Sequence, residues 1–435
     1  MKLKKLLSLA LALGLASSLA ACSSQGTSGA SPTPAGSDPA PTADTTLNVL
    51  IVSDLEPLEP VFQEFAQANG ISIQVESVPY AEIFNTIEVR LGAGESSIDV
   101  LVADAPLITN YAAKNYLGSM SEYISADSTS RITSASLAGG TVDGEIMALP
   151  LYSSCVNLYY NKDLFEQAGI EAPEVAYATW DEFFEACDKL KEAGITPITA
   201  DDAYMTSFIG MHLARYIGQD GVKSLVTGEA SNDVTVTWDD PKVLAAAESF
   251  ADFADKGYFS KNIATNKYPA GQNQEFAPGE AAIVICGSWL PNEAKESVAD
   301  DLEWGYFNYP SVPDGTDDST ANNIANQVFA INKDSRMADE AFELITYITT
   351  GEFDKKMTEE ALCIPTDKAN SDAWPTELAG VKEGFDATTT YYDWAAGVES
   401  NNDLTPVLQQ NTLDLAAGKI DAAGFIKAMT KAAGQ

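Results

Sequence analysis

Residues 149–199 read LPLYSSCVNLYYNKDLFEQAGIEAPEVAYATWDEFFEACDKLKEAGITPIT. The run Cys155–Tyr160 has an extended, apolar pattern that breaks at Asn161–Lys162–Asp163 into a short helix, Leu164–Ala168, stopped by Gly169. A proline-bearing loop leads to a second helix, whose start is marked by Thr179 as N-cap with Glu182 three residues on. Its apolar positions Phe183, Phe184, Ala186, Cys187 and Leu190 recur at helical spacing before Gly194, and a strand-like run, Ile195–Thr199, follows. The periodicity predicts a strand, two helices and a strand.

The same reading extends outward. Upstream, Leu47–Val52, Ile71–Ser77 and Ile98–Ala103 read as strands, alternating with helices at Leu58–Ala68, Ala81–Leu91 and Pro106–Tyr116. That alternation predicts an α/β fold built on mostly parallel sheets flanked by helices. Ligands of such sheets sit beyond the carboxyl ends of the strands, which singles out the turns at Ser53–Glu56 and Asp104–Leu107. Downstream come helices at Ala203–Ile217, Pro241–Lys256 and Gln272–Phe276, a loop over Lys261–Gln272, the strand Ala281–Cys286, and a last helix at Asp421–Ala433.

The N-terminus is a processing segment. Lys2, Lys4 and Lys5 precede an apolar run, Leu6–Leu19, too short to span a bilayer as a helix. Leu19–Ala20–Ala21–Cys22 resembles a bacterial lipobox, which implies cleavage of 1–21 and a diacylglycerol on Cys22. Residues 22–45 are mostly Ser, Thr, Pro, Ala and Gly with almost no large apolar side chain, the composition of a flexible tether. About 390 residues remain, which suits two lobes better than one core.

The formal charge is −38, and −41 without the three lysines of residues 1–21. A chain so acidic, with no basic face, excludes nucleic acid as a partner. After Cys22, four cysteines remain, Cys155, Cys187, Cys286 and Cys363, all in apolar contexts that suit buried free thiols. No CxxC spacing occurs and the one histidine is His212, so neither a zinc site nor a cofactor is expected.

The stretches YYNKDLFEQAGI (159–170) and TWDEFFEACDKLKEAGITPI (179–198) closely resemble the central signature of extracellular solute-binding proteins of the sugar-transporter type, a family that includes maltose-binding protein. FAPGEAAIVICGSWLPNEA (276–294) and NQVFAINKDSRMADEAFELITYITT (326–350) match it too, and the likeness covers roughly residues 46 to 433. The resemblance implies a two-lobed periplasmic-binding-protein-like fold with several chain crossings at the hinge. Residues 46–152 plus 314–357 would form lobe 1, and 153–313 plus 358–435 lobe 2.

Trp289 follows an apolar strand on a turn opened by Gly287, where its ring can lie against an apolar sugar face; in the family the aromatic at this place lines the cleft. Asp202 and Tyr204 match an acid-x-aromatic set, although Asp201 or Asp202 could equally cap the following helix. Asp54 and Asp104 are strand-end acids or N-caps. Tyr80 and Tyr152 are cleft candidates by position, Tyr152 because it lies at the interlobe crossing. Asn326 and Gln327 could offer amides from lobe 1, and Trp394, in a patch with Tyr391 and Tyr392, could close the far end of the cleft. Ser154 stands where maltose-binding protein has a glutamate, so the same ligand is not implied.

What the resemblance implies is a monomeric, lipid-anchored receptor on the extracytoplasmic face of the cell membrane. It would pass a carbohydrate to the permease of an ABC importer, without catalysis. A receptor for a peptide or a cationic metabolite stays open as an alternative, as does a glycosidase using two carboxylates.

Overall fold

The structure is a computed structural model and describes residues 46–133, 136–137, 139–268, 270–290, 302–361, 363–401 and 403–435. The expected signal peptide, tether and Cys22 lie outside the described residues.

The chain opens with β1 (Thr46–Val52), β2 (Ser72–Val78) and β3 (Val100–Asp104), parallel strands with β1 in the middle. Helices Glu59–Asn69, Tyr80–Gly92 and Ala105–Ala113 follow them in turn, the alternation expected from the sequence. A hairpin of β4 (Thr141–Val142) and β5 (Glu145–Ile146) leads to β6 (Ala148–Cys155), which passes through Val156 into β7 (Asn157–Asn161). With β8 (Thr196–Thr199), β9 (Ala281–Cys286) and β10 (Trp304–Phe307), β7 makes a second sheet in the order β10-β7-β9-β8. β11 (Ala321–Ile331) then returns to the first sheet, and β12 (Thr390–Tyr392) pairs with its first residues.

Local chemistry explains the signature segment. The Asn161 side chain accepts from Leu164 N at 3.0 Å and starts the helix Lys162–Gln167. Thr179 Oγ1 accepts from Glu182 N at 3.2 Å, while Glu182 Oε2 accepts from Ala178 N at 3.0 Å, so two free N–H groups at this helix start are satisfied reciprocally. The helix Trp180–Glu192 buries the apolar face read from its spacing, with Trp180 added. The expected helix end at Ile217 coincides with a break: Gly218, at φ 70 and ψ 165, separates two helical stretches within Asp202–Thr227.

Two separate apolar cores result. One gathers Leu50, Ile51, Phe62, Leu101 and Phe329, the other Leu158, Phe183, Phe208, Phe253 and Ile285. Both β6 and β11 run through the two of them. Leu149 and Leu151 pack in the first core and Cys155 in the second, while Ile324 packs in the second and Val328–Ile331 in the first. The two strands pair antiparallel from Ile324↔Cys155 to Ala330↔Ala148, with a register irregularity between Gln327 and Val328. A third segment joins them, since Ile364 N donates to Ser153 O at 2.8 Å.

The architecture is thus two-lobed α/β, but the sheets are mixed rather than mostly parallel: β1–β3, the pair β8–β9 and the pair β11–β12 are parallel. In the second sheet β7 runs antiparallel to both β9 and β10, and only β8 and β9 are parallel. In the first, β11 is antiparallel to β3 and β6. The cause is connectivity: β7 is the continuation of a strand arriving from the other lobe, and β11 arrives the same way in reverse. Neither follows the crossover helix that sets a parallel direction. Cys155, Cys187, Cys286 and Cys363 are buried and form no disulfide.

Truncating Thr179 to alanine leaves the helix start without its hydroxyl acceptor. The expected loss is about 1 kcal/mol, measured as a lower urea midpoint at unchanged slope.

Candidate functional site

On the first lobe three strands place three polar side chains in one row. Gln327 of β11 is opposite Asp104 of β3 on one side and Tyr152 of β6 on the other. Tyr152 Oη donates to Gln327 Oε1 at 3.0 Å, and the Gln327 side chain bonds the Asp104 carboxylate. Tyr80, at the start of its helix and 38% exposed, donates from Oη to Asp104 Oδ2 at 2.6 Å. Asp104 occupies the N-cap position of Ala105–Ala113 without capping it. Its removal from water pushes the carboxyl up to about 6, against the lowering effect of the Tyr80 and Gln327 bonds.

On the second lobe the strand β9 ends at Gly287, and the Trp289 ring folds back over that glycine: a Cβ there would lie 2.3 Å from the indole. Trp289 Nε1 donates to Tyr204 Oη at 3.0 Å, and Tyr204 is anchored in the helix Asp202–Thr227. The half-buried Trp289 ring lies nearly parallel to Trp394, with centroids 6.4 Å apart and an interplanar angle of 18°. Trp394 opens a tight turn in which Ala395, Ala396 and Gly397 have φ of 49, 53 and 82. This left-handed turn sits directly on Gly210, where a Cβ would come within 2.1 Å of Ala395 O. Glu399 fixes the indole by accepting from Trp394 Nε1 at 2.9 Å and takes a second bond from Thr206 Oγ1 at 2.5 Å.

The two halves meet. The helix Ala105–Ala113 touches the turn Trp394–Gly397. Burial and, after it, the charge of Asp104 raise the Glu399 carboxyl above its usual range, against the bonds from Thr206 and Trp394. Tyr80 lies in the field of Asp104, Glu399 and Tyr152 together. The structure therefore gathers Asp104, Tyr80, Tyr152 and Gln327 from one lobe with Trp394 and Glu399 from the other, and Trp289, bonded to Tyr204, lies beside Trp394.

Other sequence candidates lie differently. Asp202 holds Lys267 Nζ at 2.7 Å and Tyr268 N at 3.1 Å, so its carboxylate ties the 266–268 loop to the helix start. Asp201 beside it is wholly buried and accepts from Gln272 N at 2.6 Å. Asn326 accepts from Ser153 Oγ at 2.6 Å and packs under Gly139, because strand alternation turns it away from Gln327. The side chain of Asp54 lies outside the described residues. Glu399 was not a candidate from the sequence, which carries no local signal for it.

Chemically, aromatic faces can lie on the C–H face of a sugar ring while carboxylates, an amide and phenols at its edge exchange hydrogen bonds with hydroxyls. His212, the residue on which a nucleophile–base pair would have to rest, is buried against Tyr309 Oη at 2.9 Å. Burial pushes its imidazole down to about 3.

Because Asp104 is raised above its ordinary value, it favours the folded state while protonated, and that contribution is lost as pH rises through about 6. Asp104→Asn is expected to raise the melting temperature near neutral pH, by up to ~2 kcal/mol of stability, and to change it little near pH 4. Thermal unfolding at the two pH values checks this.

Residues 61–383 match the family of bacterial extracellular solute-binding proteins. A protein of Brucella abortus (strain 2308), named only as a binding protein, is 23% identical over 322 residues, which are 71% of this chain and 73% of the relative. A lactose-binding protein of Rhizobium radiobacter is 25% identical over 282 residues, 62% of each chain. Among solved structures, a chitin oligosaccharide binding protein superposes with a TM-score of 0.75 at 21% identity, over 90% of this chain and 99% of that one. With most of its length matched, this chain belongs to the bacterial extracellular solute-binding proteins.

Proposed function

We propose that this protein is the substrate-binding lipoprotein of an ABC importer, capturing a carbohydrate between its lobes and delivering it to the permease. The observation that carries this reading is the near-parallel Trp289–Trp394 pair beside polar groups contributed by both lobes. Relatives whose names specify lactose or chitin oligosaccharide support the ligand class. On this reading the chain crosses between lobes near 152–153, between Ile324 and Val328 and near Cys363–Ile364, the last two later than the 313–314 and 357–358 expected from the sequence, and the ligand-contacting residues are Asp104, Tyr80, Tyr152, Gln327, Trp394, Glu399 and Trp289. The protein acts as a monomer, held at the extracytoplasmic face of the membrane by a lipid on Cys22.

Binding then needs no reaction step. A ligand that touches both lobes favours the closed arrangement by its differential affinity for it, and the permease reads that arrangement. A second reading draws on the Asp104 and Glu399 carboxyls, since two acids flanking a sugar can also hydrolyse it.

The test is a saccharide panel with the purified protein. A ligand-dependent rise in melting temperature without product supports the receptor, whereas hydrolysis of any panel member establishes the glycosidase. For the best binder, Trp289→Ala should weaken affinity by about 2 kcal/mol, roughly thirtyfold, while the unliganded melting temperature stays near the parent's. A large stability loss with unchanged affinity would remove Trp289 from the site.

The anchor is tested separately. Metabolic labelling with a fatty acid should mark the parent chain and not Cys22→Ala; equal labelling of both would sink the lipoprotein assignment.

A further inference from the structure

Asp104 and Glu399 come from opposite lobes: the helix that Asp104 opens touches the turn that precedes Glu399, and the charge of Asp104 raises the Glu399 carboxyl. Carboxylates held out of water are ordinarily matched by a cation. Here the groups that hold them are neutral: Tyr80 and Gln327 on Asp104, Thr206 and Trp394 on Glu399. Among the described residues, the basic side chains of the segments around the site are paired elsewhere, Lys223 with Asp393, Lys267 with Asp202 and Arg131 with Asp367.

What surrounds the two acids instead is aromatic. Tyr80 bonds Asp104 directly and Tyr152 reaches it through Gln327, while the Trp394 indole, beside Trp289, bonds Glu399. Carboxylates held in place beside aromatic rings suit an ammonium group, which gains ion pairing from the acids and, over a ring face, cation–π attraction. A neutral polyol could use the same hydrogen-bond acceptors but would leave the mutual repulsion of the carboxylates unrelieved.

Resting on the carbohydrate reading above, we propose that the solute is an amino-bearing saccharide, its protonated amine held between Asp104 and Glu399 and its ring against Trp394. Glu399 is then the specificity-determining residue: one oxygen orients the indole and the carboxylate as a whole faces the amine.

The experiment is calorimetry on the full mature chain near neutral pH with three probes. These are glucosamine oligosaccharides with free amines, the N-acetylated oligosaccharides of the same length, and putrescine as a diamine without a sugar. The free-amine saccharide should bind at least about thirtyfold more tightly than its acetylated counterpart, and more tightly than putrescine. Glu399→Gln and Asp104→Asn, each near in shape to the parent side chain, should bring the ratio between the two saccharides toward one. Equal or tighter binding of the acetylated saccharide would overturn this inference and leave the carbohydrate reading standing. Binding of putrescine with no response to either saccharide would overturn both. A wild-type preference that survives unchanged in both variants, with melting curves showing them folded, would remove the amine from this pair of acids.

Discussion

Two paired strands belong to both lobes at once, and the rest of the molecule depends on that pairing. Each lobe has its own core, yet β6 and β11 contribute side chains to both. The antiparallel ladder between them crosses the junction with a register shift at Gln327/Val328. A bending motion must be taken up where the ladder is least regular. Pro150 has no N–H to give, and the register shifts between Gln327 and Val328. The neighbouring side chains are small and hydroxylated. Ser153 bonds Asn326 and Ser136, and Ser154 lies 3.1 Å from Ser288. The row Tyr152–Gln327–Asp104 starts on these same strands, so the first-lobe half of the candidate site is attached directly to the hinge.

What could be read from the sequence was whatever a few neighbouring residues decide. Thr179 with Glu182, the break at Asn161, the stop at Gly169 and the apolar face of Trp180–Glu192 are all local chemistry, and all fold as read. Strand direction was less accessible because it depends on which lobe a strand arrives from. Periodicity identified the run Cys155–Tyr160 as extended, and the family resemblance implied chain crossings at the hinge, but neither carried the direction in which β7 and β11 enter their sheets.

The candidate site divides along the same line. Trp289 was legible because glycine, a strand end and an aromatic sit within a few residues of each other. Asp201 and Asp202 were not separable, since either could cap the helix; the difference lies in distant partners, Gln272 for one and Lys267 for the other. Glu399 had no signature at all. It sits in an irregular segment after a short turn, and its position comes from the docking of that turn on Gly210, almost two hundred residues earlier in the chain. Buried aromatics such as Phe183, Phe208, Phe250 and Phe253 surround His212 and Tyr309 in the second core, which is why aromatic content alone could not point to the site.

The left-handed turn beneath Trp394 bears on how such a receptor can change over time. Two successive alanines there adopt a conformation that costs roughly 1–2 kcal/mol each, and close contact with Gly210 prevents them from relaxing. An insertion or a shifted loop at this point would lose the contact and the indole's orientation together. A lineage drifting toward another solute would therefore keep this backbone as a fixed mount and exchange the rings and acids carried on it, so that selectivity evolves by replacing side chains on an unchanged frame.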